Sequence, residues 1–284
     1  MQIIEKAAAK INLSLDTPFN HADGKQEWQM IMTSVDLADY VTIETLDHTM
    51  RIEVLNDTGF LPNDRRNLVY QAAKLLQKSF KIKQGVKISI EKHIPVAAGL
   101  GGGSSDAAAV LRGLNKLWDL NLSLAQLAIL GLDIDADVPY CVYSQTAYVH
   151  GKGEKIELLE KLPTAWVILA KPNISVSTPS ILRQIDHAKL KHINTPRLKQ
   201  VINDQAYQQM YQLMGNVLEP VTCQQHNQIM QLKERMLTYG ANVAQMSGTG
   251  PTVFGICEKQ SRAQRVYNSM KGFCRETYLV RTLG

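Results

Sequence analysis

The residues best suited to chemistry lie in a glycine-rich stretch, Pro95–Asp106, with the sequence PVAAGLGGGSSD. Glycines let a backbone come close to an anion and adopt positive φ angles. A helix that begins after such a loop presents N–H groups without intrahelical partners, together with the positive end of its dipole. We expect Ser104 and Ser105 to cap that helix and to donate to phosphate oxygens or assist a magnesium ion. The stretch therefore predicts a polyphosphate-binding loop.

Two familiar glycine motifs do not describe this stretch. The chain lacks the G-x-x-x-x-G-K-[ST] pattern of Walker-type loops. A dinucleotide-binding G-x-G-x-x-G that begins at Gly99 would need glycine at 104, where the chain has serine. The alternative to phosphate binding is an ordinary flexible glycine loop, and the flanking elements bear on that choice.

The elements around the loop are a predicted strand and a predicted helix. Val86–Ile90 alternates apolar and polar residues, as a strand does, and Asp106–Leu117 is rich in alanine with one apolar face. A glycine loop between a strand and a helix is the usual setting of a phosphate cradle. Its position therefore favours the functional interpretation.

The remaining pattern predicts a mixed α+β chain without repeats. We expect strands at 7–15, 41–46, 50–55 and 166–170, a strand-like stretch at 140–150, two strands flanking a Gly-Thr-Gly-Pro turn, and helices at 68–80, 123–130 and 224–239. Ser123 is a predicted N-cap and Gly240 a predicted C-terminal glycine. A domain boundary is expected near residue 155.

Composition excludes several classes of protein. The chain has 284 residues, of which 45% are hydrophobic and 20% charged, as in ordinary globular proteins. Its net charge of +5 comes from scattered basic residues, so we expect no nucleic-acid partner. The four cysteines form no C-x-x-C pair, and no apolar stretch reaches membrane-spanning length. The N-terminus does not look like a signal peptide, and we expect a cytoplasmic protein without a membrane partner.

Three blocks together resemble the GHMP kinase superfamily of small-molecule kinases. They are the glycine loop, the N-terminal AAKINL at 8–13 and the C-terminal MSGTGPTVF at 246–254. Their order and spacing match the family along essentially the whole chain. The resemblance implies an α+β, two-domain GHMP kinase fold. It places an N-terminal ATP-binding domain like ribosomal protein S5 domain 2 at 1–155 and a ferredoxin-like C-terminal domain at 156–284.

The resemblance also implies roles for individual residues, with ATP and Mg²⁺ as cofactors and no dedicated metal cage. Asp137 would be the catalytic base and Lys10 its cationic partner. Without the resemblance, Lys10 would be taken for a solvated surface lysine and Asp137 for a turn residue before Pro139. The implied cofactor-binding residues are Asn67, Pro95, Ala97, Ala98, Gly99, Leu100, Gly101, Gly102, Gly103, Ser104 and Ser105. The implied substrate-binding residues are Asn12, Lys25, Gln26, Leu182, Ser247, Gly248 and Thr249.

Two of these assignments keep an alternative. Asn67 could instead only cap the helix that follows it, a role that asparagine favours. The turn at 247–249 could support the phosphate loop or the acceptor side, or it could be a simple hairpin turn.

Further stretches resemble the branch of the family whose acceptor alcohol is linked to cytidine diphosphate. They are RNL at 66–68, ADVP at 136–139, GKGE at 151–154 and KP at 171–172. The chain departs from that branch where aromatic residues would contact the cytosine, since it has Lys25, Gln26 and Leu182 instead. Asp135 replaces a common glycine, so it adds a carboxylate that could bind magnesium, or repel ATP and act on Asp137.

Three functions remain open at this point. The first is a kinase for the cytidine-diphosphate-linked alcohol, acting as a monomer or homodimer. The second is a GHMP kinase for a different small alcohol, which the missing aromatic residues suggest. The third is a catalytically silent nucleotide-binding homologue, although retention of both Lys10 and Asp137 argues against it.

Overall fold

The structure is a computed structural model that describes all 284 residues. Its strands are β1 Gln2–Asp16, β2 Trp28–Leu46, β3 Ile52–Asn56, β4 Gly85–Glu91, β5 Ala147–Gly151, β6 Lys155–Leu158, β7 Trp166–Lys171, β8 Gly215–Asn216, β9 Val243–Met246, β10 Val253–Cys257 and β11 Glu276–Arg281. Its helices are α1 Leu68–Ser79, α2 Gly102–Leu117, α3 Leu124–Gly131, α4 Val138–Tyr143, α5 Thr178–Leu182, α6 Thr195–Asn203, α7 Tyr207–Leu213, α8 Glu219–Gln225, α9 Gln228–Thr238 and α10 Gln260–Lys271. None of the helices is both long and apolar enough to cross a membrane.

The chain forms two compact units, and the N-terminal strands contribute to both. The first unit contains Met1–Ala9, Leu37–Val96 and Gly101–Ser144, and the second contains Lys10–Asp36, Ala97–Leu100 and Gln145–Gly284. The long strands β1 and β2 pass through both units, and the glycine loop is divided between them. The expected boundary near residue 155 stays a prediction about domains.

The first unit is a sheet with helices packed on it. Its strand order is β3-β4-β2-β1, with β3 parallel to β4 and the Tyr40–Leu46 part of β2 antiparallel to β4. Helices α1 and α2 pack on each other, and α2 also packs on α3 and α4. The apolar residues of the helices recur with helical spacing and meet the buried side of the strands. The fully buried residues at this centre include Ile43, Leu76, Ile88 and Leu111.

The second unit contains a four-stranded antiparallel sheet in the order β11-β7-β10-β9, against which α9 and α10 pack. Its core includes Ile168, Met236, Phe254 and Val266, all fully buried. The remaining strands of the unit belong to the sheet that contains the long strands β1 and β2. Short β8 pairs in parallel with β1, β5 pairs with the start of β2, and β6 pairs with β5.

Most predicted elements are present, but two predictions are wrong in part. Residues 140–143 were expected to be strand-like and instead form the end of α4. Pro139 in the first turn starts this helix, and the Arg112 guanidinium donates to the Cys141 carbonyl at 2.9 Å near its end. The single helix expected at 224–239 is divided, because the chain leaves helical geometry at His226, between α8 and α9.

Candidate functional site

The glycine loop ends at Gly101, which is the N-cap of α2 with φ of 68°. The helix therefore begins at Gly102 rather than at Asp106, and the expectation that Ser104 and Ser105 cap it is wrong. A left-handed N-cap is available to glycine without steric cost, so the chain enters the helix directly after the loop. The N–H groups of Gly102, Gly103 and Ser104 then lie in the first turn, where they have no intrahelical acceptor. This is the arrangement that binds phosphate at a helix N-terminus.

The two serines hold the first turn of α2 in place within the first unit. Ser104 Oγ donates to Asp135 Oδ1 at 2.7 Å, and the fully buried Ser105 Oγ donates to the Ala8 carbonyl at 2.7 Å. Asp135 Oδ1 also accepts from the Asp137 backbone N–H at 3.1 Å. The extra carboxylate predicted at 135 thus connects the start of α2 to the segment that carries Asp137.

A buried charge cluster lies under the same helix turn. Lys92 Nζ bonds to Asp39 Oδ2 and, at 2.8 Å, to Asp106 Oδ2. Asp39 Oδ1 accepts the backbone N–H groups of His93 and Ile94 at 2.6 and 2.8 Å, whereas Asp106 Oδ1 is buried without a partner. A β-carbon placed on Gly102 would lie 3.4 Å from Lys92 Nζ. The cluster therefore fixes the segments that enter and leave the phosphate loop.

The cluster has one positive and two negative groups, which changes their pKa values. Burial raises the pKa of Asp106 from 3.8 to about 8, and the nearby charge of Asp39 adds to the rise that Lys92 opposes. Burial alone would lower the pKa of Lys92, but the charges of Asp106 and Asp39 outweigh it and raise that pKa. Asp106 is accordingly a proton-holding carboxyl near neutral pH.

Asn67 and Pro95 are the other predicted cofactor residues in the first unit. Asn67 is the N-cap of α1, since its Oδ1 accepts the Val69 N–H at 3.1 Å, and its Nδ2 donates to the Pro62 carbonyl at 2.8 Å. It therefore performs the capping role that the sequence allowed, and its contact with a nucleotide stays a prediction. Pro95 is buried directly after Ile94 at the end of the cluster.

In the second unit the phosphate loop touches the 247–249 turn. Gly99 has φ of 73°, and a β-carbon there would collide with the Ser247 carbonyl oxygen and lie 3.0 Å from the Gly250 oxygen. Ser247 Oγ donates to the Gly99 carbonyl at 2.9 Å, and the Thr252 N–H donates to the Ala98 carbonyl at 3.4 Å. Of the alternatives for this turn, support of the phosphate loop agrees with these contacts, and glycine is required at 99 because the backbones are in contact.

Lys10 belongs to the N-terminal block, and it contacts the phosphate loop and lies near the 247–249 turn. Its backbone N–H donates to the Leu100 carbonyl at 2.9 Å, and its Nζ donates to Asn12 Oδ1 at 2.8 Å. A β-carbon placed on Gly248 would lie 3.5 Å from Lys10 Nζ. Lys10 is only 3% exposed, which contradicts the alternative of a solvated surface lysine. Parts of all three blocks are thus brought together within the second unit.

The residues predicted to bind the acceptor's cytosine lie on two other segments of the second unit. Lys25 and Gln26 belong to a hairpin in which the His21 N–H donates to the Lys25 carbonyl and Asn20 pairs with Gln26. Leu182 ends α5, whose Thr178 hydroxyl bonds to the Thr249 hydroxyl at 2.7 Å. The structure therefore connects α5 to the turn, while a role of Lys25 and Gln26 in binding stays a prediction.

Sequence patterns missed the residues that support this site. Asp39 and Lys92 are 53 residues apart and carry no spacing signal, although Asp106 directly follows the glycine loop. Asn216 donates to the Met246 and Gly248 carbonyls and Glu219 accepts the Met246 N–H, and both residues lie in a segment that no motif singled out. Only the fold brings them to the site.

This combination of fold and site defines a class of small-molecule kinase. The family model for the N-terminal domain of GHMP kinases matches residues 67–145, and the model for their C-terminal domain matches residues 197–276. The chain belongs to the GHMP kinase family, whose members use ATP, and its predicted α+β two-domain fold is confirmed.

The relatives narrow the class further. A protein from Levilactobacillus brevis named 4-diphosphocytidyl-2-C-methyl-D-erythritol kinase is 64% identical, with 100% of both chains covered. One of the same name from Lactiplantibacillus plantarum is 63% identical over 99% of this chain and 98% of the relative. A crystal structure of 4-(cytidine 5'-diphospho)-2C-methyl-D-erythritol kinase matches with a TM-score of 0.84 and 28% identity, covering 100% of both chains.

Proposed function

We propose that this chain transfers the γ-phosphate of ATP to the 2-hydroxyl of 4-diphosphocytidyl-2-C-methyl-D-erythritol, a step of non-mevalonate isoprenoid synthesis. The observation that carries the proposal is the buried Lys10, whose ammonium lies beside the Gly248 turn while its backbone bonds to the phosphate loop. The full-length identity to relatives of that name supports the choice of acceptor.

Phosphoryl transfer depends mainly on positioning and on stabilising charge. The acceptor hydroxyl oxygen attacks the γ-phosphorus, the bond from that phosphorus to the β–γ bridging oxygen breaks, and ADP leaves. Asp137 takes the proton of the acceptor hydroxyl. Lys10 offsets charge on the phosphoryl group in transfer.

The start of α2 has the features of an ATP phosphate site. Its first-turn N–H groups and its dipole favour the polyphosphate, and Gly101 lets the backbone approach closely. Mg²⁺ would enter with ATP and neutralise phosphate charge. The Ser104 hydroxyl and the Asp135 carboxylate, 2.7 Å apart, are oxygen donors of the kind that Mg²⁺ prefers, and they fit an ion held mainly by phosphates and waters.

A second candidate is phosphorylation of a different small alcohol. The hairpin has Lys25 and Gln26 where the cytidine-binding branch has aromatic residues, and α5 has Leu182. Stacking of a base on an aromatic side chain is worth about 1–3 kcal/mol, so two lost platforms would weaken cytosine binding substantially. Retention of both Lys10 and Asp137 argues against a silent homologue.

We also propose a cytoplasmic location. All four cysteines are free thiols in the structure, which fits a reducing compartment. A small-molecule substrate requires no further partner.

Asp137→Ala tests the assigned chemistry. We expect turnover to fall about 100-fold or more, as for loss of a general base, while the dissociation constant for ATP changes less than threefold. Rates of ADP formation and calorimetric titration with ATP give the two quantities. Asp133→Ala is the matched control, because it removes an exposed carboxylate four residues earlier. Full turnover in a folded Asp137→Ala protein would show that Asp137 is not the base.

A further inference from the structure

One short segment of the second unit, residues 215–222, forms hydrogen bonds with the 247–249 turn and with Met246 directly before it. This segment contains β8, which pairs with β1 so that Leu15 faces Asn216, and the start of α8. Its polar side chains Asn216, Glu219 and Thr222 are all buried, with exposed fractions of 7%, 6% and 0%. Buried polar groups of this kind are retained where each one has a partner.

The side-chain amide of Asn216 donates hydrogen bonds to two backbone carbonyl groups, one in the turn and one directly before it. Its Nδ2 donates to the Met246 oxygen at 2.9 Å and to the Gly248 oxygen at 2.7 Å, and its Oδ1 accepts the Leu218 N–H at 2.9 Å. Both amide hydrogens are therefore used on the two carbonyl groups. The amide bridges these carbonyls, and the hydrogen bond from the Leu218 N–H fixes its orientation.

Two further side chains complete the support. Glu219 accepts the Met246 N–H at 2.7 Å, and its other oxygen is paired with Lys233. The Thr222 hydroxyl contacts the Thr249 carbonyl at 3.3 Å and the Leu218 carbonyl at 3.1 Å. The segment thus binds the carbonyls of Met246, Gly248 and Thr249 from the same side.

The orientation of these carbonyl groups determines where the neighbouring N–H group of the turn points. In a trans peptide the carbonyl and the following N–H point in opposite directions. Because Asn216 holds the Gly248 carbonyl inward, the Thr249 N–H is directed away from the Asn216 amide. No hydrogen bond within the chain uses the N–H of Gly248 or Thr249. Lys10 Nζ lies 3.5 Å from the position of a β-carbon on Gly248, so a positive charge lies near this turn.

We propose that Asn216, assisted by Glu219 and Thr222, is a positioning residue that aims the N–H group of Thr249 at the phosphoryl group in transfer. This inference rests on the proposed phosphoryl transfer and extends it to residues that touch no substrate. Preorganised backbone donors next to an ammonium stabilise the charge on a transferring phosphoryl group. Their effect is specific to the γ-phosphate and does not extend to the rest of the nucleotide.

Asn216→Asp is the direct test, because it keeps the size of the side chain and removes both donors. We expect affinity for magnesium AMP-PNP, which has a γ-phosphate, to fall at least fivefold, while affinity for magnesium ADP stays within twofold. Calorimetric titration with each nucleotide measures this difference without any acceptor. Turnover with acceptor is expected to fall at least tenfold.

Asn115→Asp is the matched control for the substitution. Asn115 holds a loop in the same way, since its amide exchanges hydrogen bonds with the Leu122 backbone at 2.9 and 3.0 Å. We expect both nucleotide affinities to stay within twofold in this variant. Equal loss of AMP-PNP affinity in the two variants, or a folded Asn216→Asp protein with the original ratio of affinities, would overturn the inference. A native chain with no preference for AMP-PNP over ADP would overturn it as well.

Thr222 provides a second test if Asn216→Asp does not fold. Thr222→Val removes the hydroxyl at constant shape and should lower AMP-PNP affinity in the same direction by a smaller factor, whereas Thr222→Ser should restore it. Identical AMP-PNP affinity in Thr222→Val and Thr222→Ser would count against the proposal. If the native chain prefers AMP-PNP and shows no turnover with the cytidyl alcohol, the proposed acceptor is wrong and the positioning role stands.

Discussion

Buried charged residues are the most informative single positions in this chain. Lys10 is 3% exposed, and its ammonium bonds to the Asn12 side chain. An ammonium removed from water costs free energy that hydrogen bonds and charge partners only partly offset. Lys10 is therefore placed for chemistry more than for stability, which agrees with the role that the family block implies.

The raised pKa of Asp106 predicts how the stability of the protein depends on pH. Its pKa rises from 3.8 to about 8 in the folded protein, so between these values the folded state binds a proton that the unfolded state has lost. The stability from this group is complete below its unfolded pKa and is lost as pH rises through the folded pKa. Asp106→Asn removes the titration. Since one pKa unit corresponds to about 1.4 kcal/mol, we expect its free energy of unfolding to gain at least about 1.4 kcal/mol relative to the native chain between pH 5.5 and pH 9.

Urea unfolding at both pH values measures this effect. Asp204→Asn, a substitution of an exposed carboxylate at the end of α6, is the control and should show no such pH-dependent gain. A constant difference between Asp106→Asn and the native chain across this range would mean that Asp106 is ionised throughout.

Sequence patterns identified the site residues that lie in motifs and missed those whose partners are distant along the chain. Lys10, Gly99 and Ser247 stand in recognisable blocks, and the structure brings these three together. Asp39, Lys92 and Asn216 act through contacts with residues 14 to 55 positions away, and no local pattern marks them. Burial and direction of hydrogen bonds, which identify them, exist only in the folded chain.

At the scale of elements, the phosphate loop depends on contact between backbones. Gly99→Ala and Gly59→Ala place a β-carbon on residues with nearly equal positive φ, 73° and 72°, which costs about 1–2 kcal/mol in each case. At Gly59 the new carbon meets nothing within 4 Å, whereas at Gly99 it collides with the Ser247 carbonyl oxygen. We expect Gly99→Ala to lower the free energy of unfolding by at least about 2 kcal/mol more than Gly59→Ala.

Denaturant unfolding of both variants checks this difference, and ATP titration should show lost affinity for Gly99→Ala alone. Equal destabilisation would mean that the loop moves away from the turn at little cost.

Two of the three element predictions that failed concern where a helix begins. The start of α2 was placed four residues late because Ser104 and Ser105 suggest caps, but a left-handed Gly101 serves that role. Residues 140–143 have a strand-like composition, yet Pro139 and tertiary contacts with α2 and α3 make them helical. In both places a residue at the start of the helix, Gly101 or Pro139, favours a helix where the local composition pointed elsewhere. The long regular segments α1 and β4 were predicted within one residue because their periodicity is unbroken.

At the scale of the whole molecule, the family similarity covers the chain from end to end. The motif blocks lie near the start, in the middle and near the end of the sequence, and the second unit gathers parts of all three. Sequence identity of 56–64% to eight relatives of one name, matched over nearly their whole length, makes the same substrate the first choice. The departures at Lys25, Gln26 and Leu182 concern the acceptor and leave the phosphate site unchanged.

The most direct test is acceptor-dependent release of ADP by the purified chain with ATP, magnesium and 4-diphosphocytidyl-2-C-methyl-D-erythritol. We predict release in proportion to acceptor, with the phosphate found on its 2-hydroxyl and formed at least about 100-fold more slowly by Asp137→Ala. That result would show that Lys25, Gln26 and Leu182 form a working cytidine site without aromatic platforms. ATP binding without acceptor-dependent release would contradict the proposed substrate, and turnover with another small alcohol would then assign the chain to a different acceptor.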